Sequence, residues 1–134
     1  MSSPGKILLV DDEVIVRESG SELLELMGYP TLIAEDGKQA IDVFREHIDE
    51  ISVVIIDLTM PRMGGVAAFR ELRRMKPGIK GILSTGSVDD ELRELCDSEG
   101  FIGFIRKPYG VDTLRAKLDS ALLAGTPGSS PSTS

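Results

Sequence analysis

The stretch Val53-Val54-Ile55-Ile56 is the part of this sequence that decides the fold. It is apolar without alternating polar residues, which is typical of a strand that helices cover on both faces. Antiparallel strands with one solvent-exposed face would instead alternate apolar and polar side chains. The stretch therefore predicts a parallel sheet buried between two layers of helices.

The same kind of short apolar run occurs five times along the chain, at residues 7–10, 31–34, 53–56, 81–83 and 101–105. A helical pattern follows each run; after the second, Ala40, Ile41, Phe44 and Ile48 recur at helical spacing. Gly20 interrupts the first helical pattern at a cost of about 1 kcal/mol. Five βα units are too few for a closed barrel, so the predicted fold class is α/β, a doubly wound five-stranded parallel sheet with helices on both faces.

The length of 134 residues fits one domain. Residues 125–134 contain only Gly, Thr, Pro and Ser, which cannot bury enough apolar surface to offset the entropy of ordering them. We therefore expect a folded domain over residues 6–124, a flexible N-terminus over residues 1–5, and a disordered tail or linker over residues 125–134.

Charge and composition exclude several classes of function. With 22 acidic residues against 15 Lys and Arg, the net charge of -7 argues against a nucleic-acid partner. The single cysteine, Cys96, cannot form an internal disulfide, and the sequence shows neither a signal peptide nor an apolar run long enough to span a bilayer. We expect a cytoplasmic protein with no direct membrane contact.

Polar residues stand where the predicted strands end, which is where sites lie in open parallel sheets. Asp11 and Asp12 follow the first run, Asp57 the third, Thr85 the fourth and Lys107 the fifth. Clustered carboxylates repel one another, so they would need a cation or would shift their pKa values, and hard oxygen ligands suit Mg²⁺. A carboxylate can also attack phosphorus if positive charge and hydrogen bonds neutralise the transferring oxygens.

Each of these residues also has an ordinary structural interpretation. Asp11 or Asp12 could cap the helix that begins near Glu13, because Asp is a favoured N-cap. Asp57 and Thr85 could each begin a turn. Their joint position at the carboxyl ends of strands in one sheet favours a site. Asp36-Gly37 also closes a strand, and we interpret it as a turn and a helix start.

Taken in order, these motifs resemble the response-regulator receiver family of two-component signalling. The resemblance rests on Ile7-Leu8-Leu9-Val10-Asp11-Asp12-Glu13, Asp36-Gly37 with Ala40, Ile56-Asp57-Leu58-Thr59-Met60-Pro61, Thr85 and Lys107-Pro108. It implies the flavodoxin-like form of the doubly wound sheet. Two departures from the family pattern, Gly64 before Gly65 and Gly86 after Thr85, remove no required group.

The resemblance also implies a function. Asp57 would accept a phosphoryl group from a histidine kinase or its phosphotransfer domain, and Lys107 would contact that group. Mg²⁺, or Mn²⁺, would be held by Asp12, Asp57 and the main-chain carbonyl of Thr59, with Asp11 acting largely through water. Rather than a conventional enzyme, the domain would catalyse its own phosphorylation and a slow loss of the phosphoryl group.

A switch is the second implication. In the family a Thr or Ser hydroxyl moves toward the phosphoryl group and an aromatic side chain changes rotamer; the matching residues are Thr85 and Phe104. An effector would bind the surface formed by the fourth helix, fifth strand and fifth helix. Residues 84–86 and 103–109 look similar to receivers attached to hybrid sensor histidine kinases, and a stand-alone regulator stays open as the other origin.

Two other functions compete with this interpretation. A haloacid-dehalogenase-like phosphatase also uses a strand-end Asp with Mg²⁺, but that family needs a second Asp two residues later, where this chain has Thr59. A degenerate receiver would be a phosphorylation-independent interaction module, an alternative that the intact Asp57, Thr85 and Lys107 disfavour.

Overall fold

Five strands and five helices alternate along the chain in the computed structural model, which describes residues 5–60 and 63–123. The strands are β1 (Lys6–Val10), β2 (Thr31–Ala34), β3 (Ile51–Asp57), β4 (Lys80–Thr85) and β5 (Gly103–Arg106). The helices are α1 (Val14–Leu26), α2 (Gly37–Glu46), α3 (Gly65–Met75), α4 (Asp90–Glu99) and α5 (Val111–Leu123). The predicted α/β alternation is confirmed.

All strand pairs are parallel, and the sheet order is β2-β1-β3-β4-β5. This is a doubly wound order with its switch point between β1 and β3. Ligand sites in such sheets lie beyond the carboxyl ends of the strands at the switch point. Asp57, the last residue of β3, therefore lies in the middle of that edge.

A separate apolar layer covers each face of the sheet. On one face, side chains from α2, α3 and α4 pack on the sheet, with Phe44 and Phe69 as the largest fully buried residues. On the other face, Leu24 of α1 packs with Leu114 and Leu118 of α5. Burying each such side chain stabilises the fold by about 1.5 to 3 kcal/mol. Helices on both faces explain why β3 carries the uninterrupted run at residues 53–56.

The fifth strand begins later than predicted. The apolar run was expected to start the strand at Phe101, but β5 begins at Gly103. Gly100 ends α4 with φ 82°, a left-handed conformation that favours glycine. Phe101 then stacks on Phe69 with ring centroids 4.4 Å apart, so Phe101 is buried in the layer where α2, α3 and α4 pack on the sheet. The prediction of a strand start at Phe101 is therefore wrong, because this buried aromatic residue directly follows the end of a helix.

Gly20 has a packing reason for its place inside α1. A Cβ at this position would lie 2.8 Å from Cδ2 of Leu9 and 3.0 Å from the hydroxyl of Tyr109. Only glycine lets α1 approach the sheet and the loop after β5 this closely. This close packing explains why α1 contains Gly20 in spite of the low helix propensity of glycine.

The predicted chain ends are not tested. Residues 1–4 and 124–134 lie outside the described residues, so the expected flexible N-terminus, apart from Gly5, and the expected tail lie there too. The domain limits of 6 and 124 stay a prediction. Among residues 5–60 and 63–123, no helix combines the length and apolar character that crossing a bilayer requires.

Candidate phosphoacceptor site

Backbone hydrogen bonds hold the loops after the strands against one another. The N–H of Leu58 donates to the carbonyl of Ser84 at 2.8 Å, and the N–H of Lys107 donates to the carbonyl of Thr85 at 2.7 Å. The strand pairing of β3, β4 and β5 thus continues past the last apolar residue of each strand. These bonds fix where the side chains of Asp57 and Lys107 begin.

Three carboxylates meet at this edge as the sequence predicted. Each of Asp11, Asp12 and Asp57 offers an oxygen, and these atoms lie within 4.8 Å of one another. Asp11 and Asp57 are 1% and 4% exposed, whereas Asp12 is exposed. Three carboxylate oxygens at this spacing, partly open to solvent, suit a hard divalent cation that keeps some of its water, as Mg²⁺ does.

Lys107 contacts the same cluster from the side of β5. Its Nζ lies 3.2 Å from Oδ2 of Asp11, 3.2 Å from Oδ1 of Asp57 and 3.3 Å from Oε1 of Glu13. The ammonium is therefore surrounded by carboxylates in a largely buried position. The peptide bond between Lys107 and Pro108 is cis.

Charge and burial together perturb the acid–base properties of the site. Burial raises the pKa of the Asp57 carboxyl to about 6, the charge of Asp11 adds to the rise, and Lys107 opposes it. For Lys107, burial lowers the pKa, but the charges of Asp57 and Asp11 outweigh it and raise the pKa above its ordinary value. The ammonium therefore stays protonated at neutral pH.

Asp57 should lower the stability of the metal-free domain at neutral pH. The unfolded Asp has a pKa of about 3.9, so between about pH 4 and the folded pKa of about 6 the folded state binds more protons. Stability is therefore lost as the pH rises through this window. Asp57→Asn, neutral throughout, should exceed wild type by about 1 to 3 kcal/mol at pH 7.5 in urea unfolding with EDTA.

The same comparison near or below about pH 3 provides the control, because residue 57 is then largely neutral in both proteins, folded and unfolded. The advantage of Asp57→Asn should shrink to nearly nothing there. Equal unfolding free energies at pH 7.5 would show that the Asp57 carboxylate is not destabilised by its surroundings.

The two predicted switch residues lie on neighbouring strands, Thr85 at the end of β4 and Phe104 within β5. Thr85 is buried, and its hydroxyl donates to the carbonyl of Ser87 at 2.9 Å and accepts from the N–H of Ser87 at 3.3 Å. Phe104 is half-buried, with the guanidinium of Arg93 5.8 Å and the ammonium of Lys117 5.3 Å from its ring centroid. In this structure the Thr85 hydroxyl is thus satisfied within its own turn.

The helix-cap interpretation of the first acidic pair is wrong for Asp12. Glu13 is the N-cap of α1, and no side chain caps that helix end. Oδ1 of Asp11 instead accepts from the N–H of Glu13 at 2.9 Å, which closes a local turn. Asp36, by contrast, caps α2 through the N–H of Gln39, as its interpretation as a helix start predicted.

Two features of the site escaped the sequence analysis. One is the contact of Glu13 with Lys107. The other is Gly65, where a Cβ would overlap the carbonyl oxygen of Asp57. Its N–H also donates to the carbonyl of Leu58 at 3.1 Å. The tandem glycines before α3 were a signal, because close backbone approach is a common reason for glycine at a helix start.

Thr59 follows β3 in the loop and is exposed. It lies two residues after Asp57 and supplies no carboxylate there, so the second acid of a haloacid-dehalogenase-like site is missing from this position. A metal-binding role for its carbonyl stays a prediction. Pro61 of the quoted motif lies outside the described residues.

Comparison with known proteins decides the family. A family model described as the response regulator receiver domain matches residues 7–119. The chain belongs to this family. A receiver domain from Clostridium thermocellum is 31% identical with a TM-score of 0.83, covering 90% of this chain and 95% of that one. The chain is thus a receiver domain of two-component signalling. Neither a haloacid-dehalogenase-like phosphatase nor a degenerate receiver gains support.

Curated relatives of the receiver domain differ in the rest of their length. Sensor kinase CckA of Brucella abortus is 32% identical over 91% of this chain, which spans 13% of that protein. Response regulator MprA of Mycolicibacterium vanbaalenii is 32% identical over 92% of this chain, which spans 53% of that protein. Receiver domains of this kind thus occur both in a sensor kinase and in a response regulator.

Proposed function

We propose that Asp57 accepts a phosphoryl group from a histidine kinase or its phosphotransfer domain. The observation that carries the proposal is the position of Asp57: a buried carboxylate 3.2 Å from the ammonium of Lys107 and clustered with Asp11 and Asp12. Such a carboxylate is a suitable nucleophile once nearby positive charge offsets that of the incoming phosphoryl group.

The reaction forms one bond and breaks one. An oxygen of Asp57 bonds to phosphorus, and the bond from phosphorus to the donor atom breaks, with its electron pair leaving on the donor. The ammonium of Lys107, which contacts the carboxylates, can then also contact a phosphoryl oxygen and offset its negative charge. The hydroxyl of Thr85 can donate a hydrogen bond to another phosphoryl oxygen once its hydrogen bond to the carbonyl of Ser87 is broken.

We further propose that Asp11, Asp12 and Asp57 hold Mg²⁺ or Mn²⁺, together with the carbonyl of Thr59. A divalent cation there would supply positive charge to the transferring oxygens and offset the repulsion among the carboxylates. A structural relative supports this choice: the CheX-CheY-BeF3-Mg+2 complex of Borrelia burgdorferi is 25% identical, with a TM-score of 0.79 over 91% of this chain and 89% of that one.

Incubation with acetyl phosphate and Mg²⁺ tests the proposal. Intact-mass measurement should show one added phosphoryl group per chain, and excess EDTA should prevent the addition because the cation offsets charge at the site. Equal labelling with and without EDTA would contradict the metal requirement. No labelling under either condition would contradict phosphoacceptance from small donors.

The proposed output is a change on the surface formed by α4, β5 and α5. Turning Thr85 toward the phosphoryl group would draw in the end of β4 and open room for Phe104 to leave its position beside Arg93 and Lys117. A ligand shifts such an equilibrium only by its differential affinity for the two states. An effector that prefers the rearranged surface would therefore read the phosphorylation state of Asp57.

Beryllofluoride with Mg²⁺, standing in for the phosphoryl group, should shift amide NMR signals over residues 85–94 and 103–109. Thr85→Ala should reduce these distant shifts while sparing those beside Asp57, because the substitution removes the hydroxyl that couples the two regions. Wild-type shifts confined to the neighbours of Asp11, Asp12 and Asp57 would mean that the coupling from Thr85 to Phe104 does not operate.

A further inference from the structure

Glu13 stands at the mouth of the site and differs from the other carboxylates there that contact Lys107. Its side chain is 62% exposed, whereas those of Asp11 and Asp57 are 1% and 6% exposed. Its backbone is held by the bond from its N–H to Oδ1 of Asp11. A fixed backbone and a contact with Lys107 keep this solvent-facing negative charge beside the route to Asp57.

The charges around Lys107 are unbalanced. Asp11, Asp57 and Glu13 all lie within 3.3 Å of one ammonium. Arg17, one turn along α1, donates to the carbonyl of Asp11 at 2.7 Å and offsets part of the negative field. A bound divalent cation would be engaged by Asp11, Asp12 and Asp57, which leaves Glu13 as a negative charge that an incoming anion meets from the solvent side.

We propose that Glu13 is a specificity-determining residue for the phosphodonor, one that disfavours dianionic acyl phosphates relative to less negatively charged, nitrogen-linked phosphoryl donors. This inference rests on the proposed phosphoacceptor function. The physical cause is repulsion across solvent, so the effect scales with the charge of the donor. At a separation of ~8 Å through water, one unit charge slows a dianion about fivefold and a monoanion about twofold.

Two substitutions separate the charge of Glu13 from its contact with Lys107. Glu13→Gln removes the charge but keeps an oxygen that can accept from the ammonium. Glu13→Asp keeps the charge on a shorter side chain that reaches less far toward Lys107. Glu18→Gln is the matched control, because Glu18 is an exposed glutamate farther along the same helix.

The experiment compares phosphorylation rates with acetyl phosphate, a dianion at neutral pH, and phosphoramidate, mostly a monoanion, at saturating Mg²⁺. Glu13→Gln should accelerate reaction with acetyl phosphate about fivefold and with phosphoramidate about twofold. Glu13→Asp and Glu18→Gln should keep the wild-type ratio of the two rates. At ~0.5 M salt the difference between wild type and Glu13→Gln should nearly vanish, because the Debye length is then shorter than the separation.

The possible failures can be told apart. Equal changes with both donors in Glu13→Gln would show that Glu13 only positions Lys107, and unchanged rates would show that it does neither; both results overturn the inference while leaving phosphoacceptance intact. A wild-type protein that accepts a phosphoryl group from neither donor overturns this inference, and phosphoacceptance from small donors with it.

Discussion

Asp57→Asn is expected to reduce phosphoryl incorporation from acetyl phosphate and Mg²⁺ by about 100-fold or more, because the amide oxygen cannot replace the carboxylate as a nucleophile. The substitution preserves the size of the side chain and leaves an oxygen for Lys107, which lies 3.2 Å from Asp57. Intact-mass spectrometry measures the loss. Asp36→Asn is a suitable control, because Asp36 lies after β2 as the cap of α2.

Folding of the Asp57→Asn protein has a built-in check. The same variant is expected to be more stable than wild type at pH 7.5, so lost incorporation cannot be ascribed to unfolding if that gain is observed. Labelling of Asp57→Asn at the wild-type rate would move the phosphoacceptor to another residue.

The Mg²⁺ affinities of two variants should distinguish the role of Asp12 from that of Lys107. Asp12→Ala removes one of the proposed oxygen ligands and should weaken Mg²⁺ binding roughly ten- to a hundredfold, or about 1.4 to 2.8 kcal/mol. Lys107→Ala should leave the affinity unchanged or slightly higher, because the ammonium donates to the same carboxylates and repels a cation. Isothermal titration calorimetry with MgCl₂ measures both.

Lys107→Ala should nevertheless weaken the beryllofluoride-induced shifts over residues 103–109, because its charge acts on the phosphoryl group. The two variants are therefore expected to fail at different steps. A fall in Mg²⁺ affinity for Lys107→Ala as severe as that for Asp12→Ala would show that this assignment of roles is wrong.

The sequence predicted the site better than it predicted the limits of the elements. Asp11, Asp12, Asp57 and Lys107 could be found because parallel strands end at one edge of a sheet, so any polar residue after a strand lands there. The start of β5 could not be found in this way. Whether Phe101 opens a strand or closes a helix depends on the left-handed Gly100 before it, and residue type alone does not specify that conformation.

The contacts of long and flexible side chains could not be predicted from the sequence either. The contact between Glu13 and Lys107 joins residues from the first and last loops of the site, and its existence depends on side-chain direction rather than on strand order. Gly65 is similar, since its closeness to the carbonyl of Asp57 follows from how α3 packs against β3. Tertiary packing determines both, and the residue pattern only marks them as unusual.

Chemical trapping of the phosphorylated residue shows whether Asp57 is the phosphoacceptor. Borohydride reduces an aspartyl phosphate to homoserine, so treating the acetyl-phosphate-labelled protein with borohydride and mapping its peptides by tandem mass spectrometry identifies the acceptor. We expect homoserine at residue 57, formed only with Mg²⁺ present. Homoserine at residue 11 or 12 instead, or an intact Asp57 in protein that carries a phosphoryl group, would contradict it.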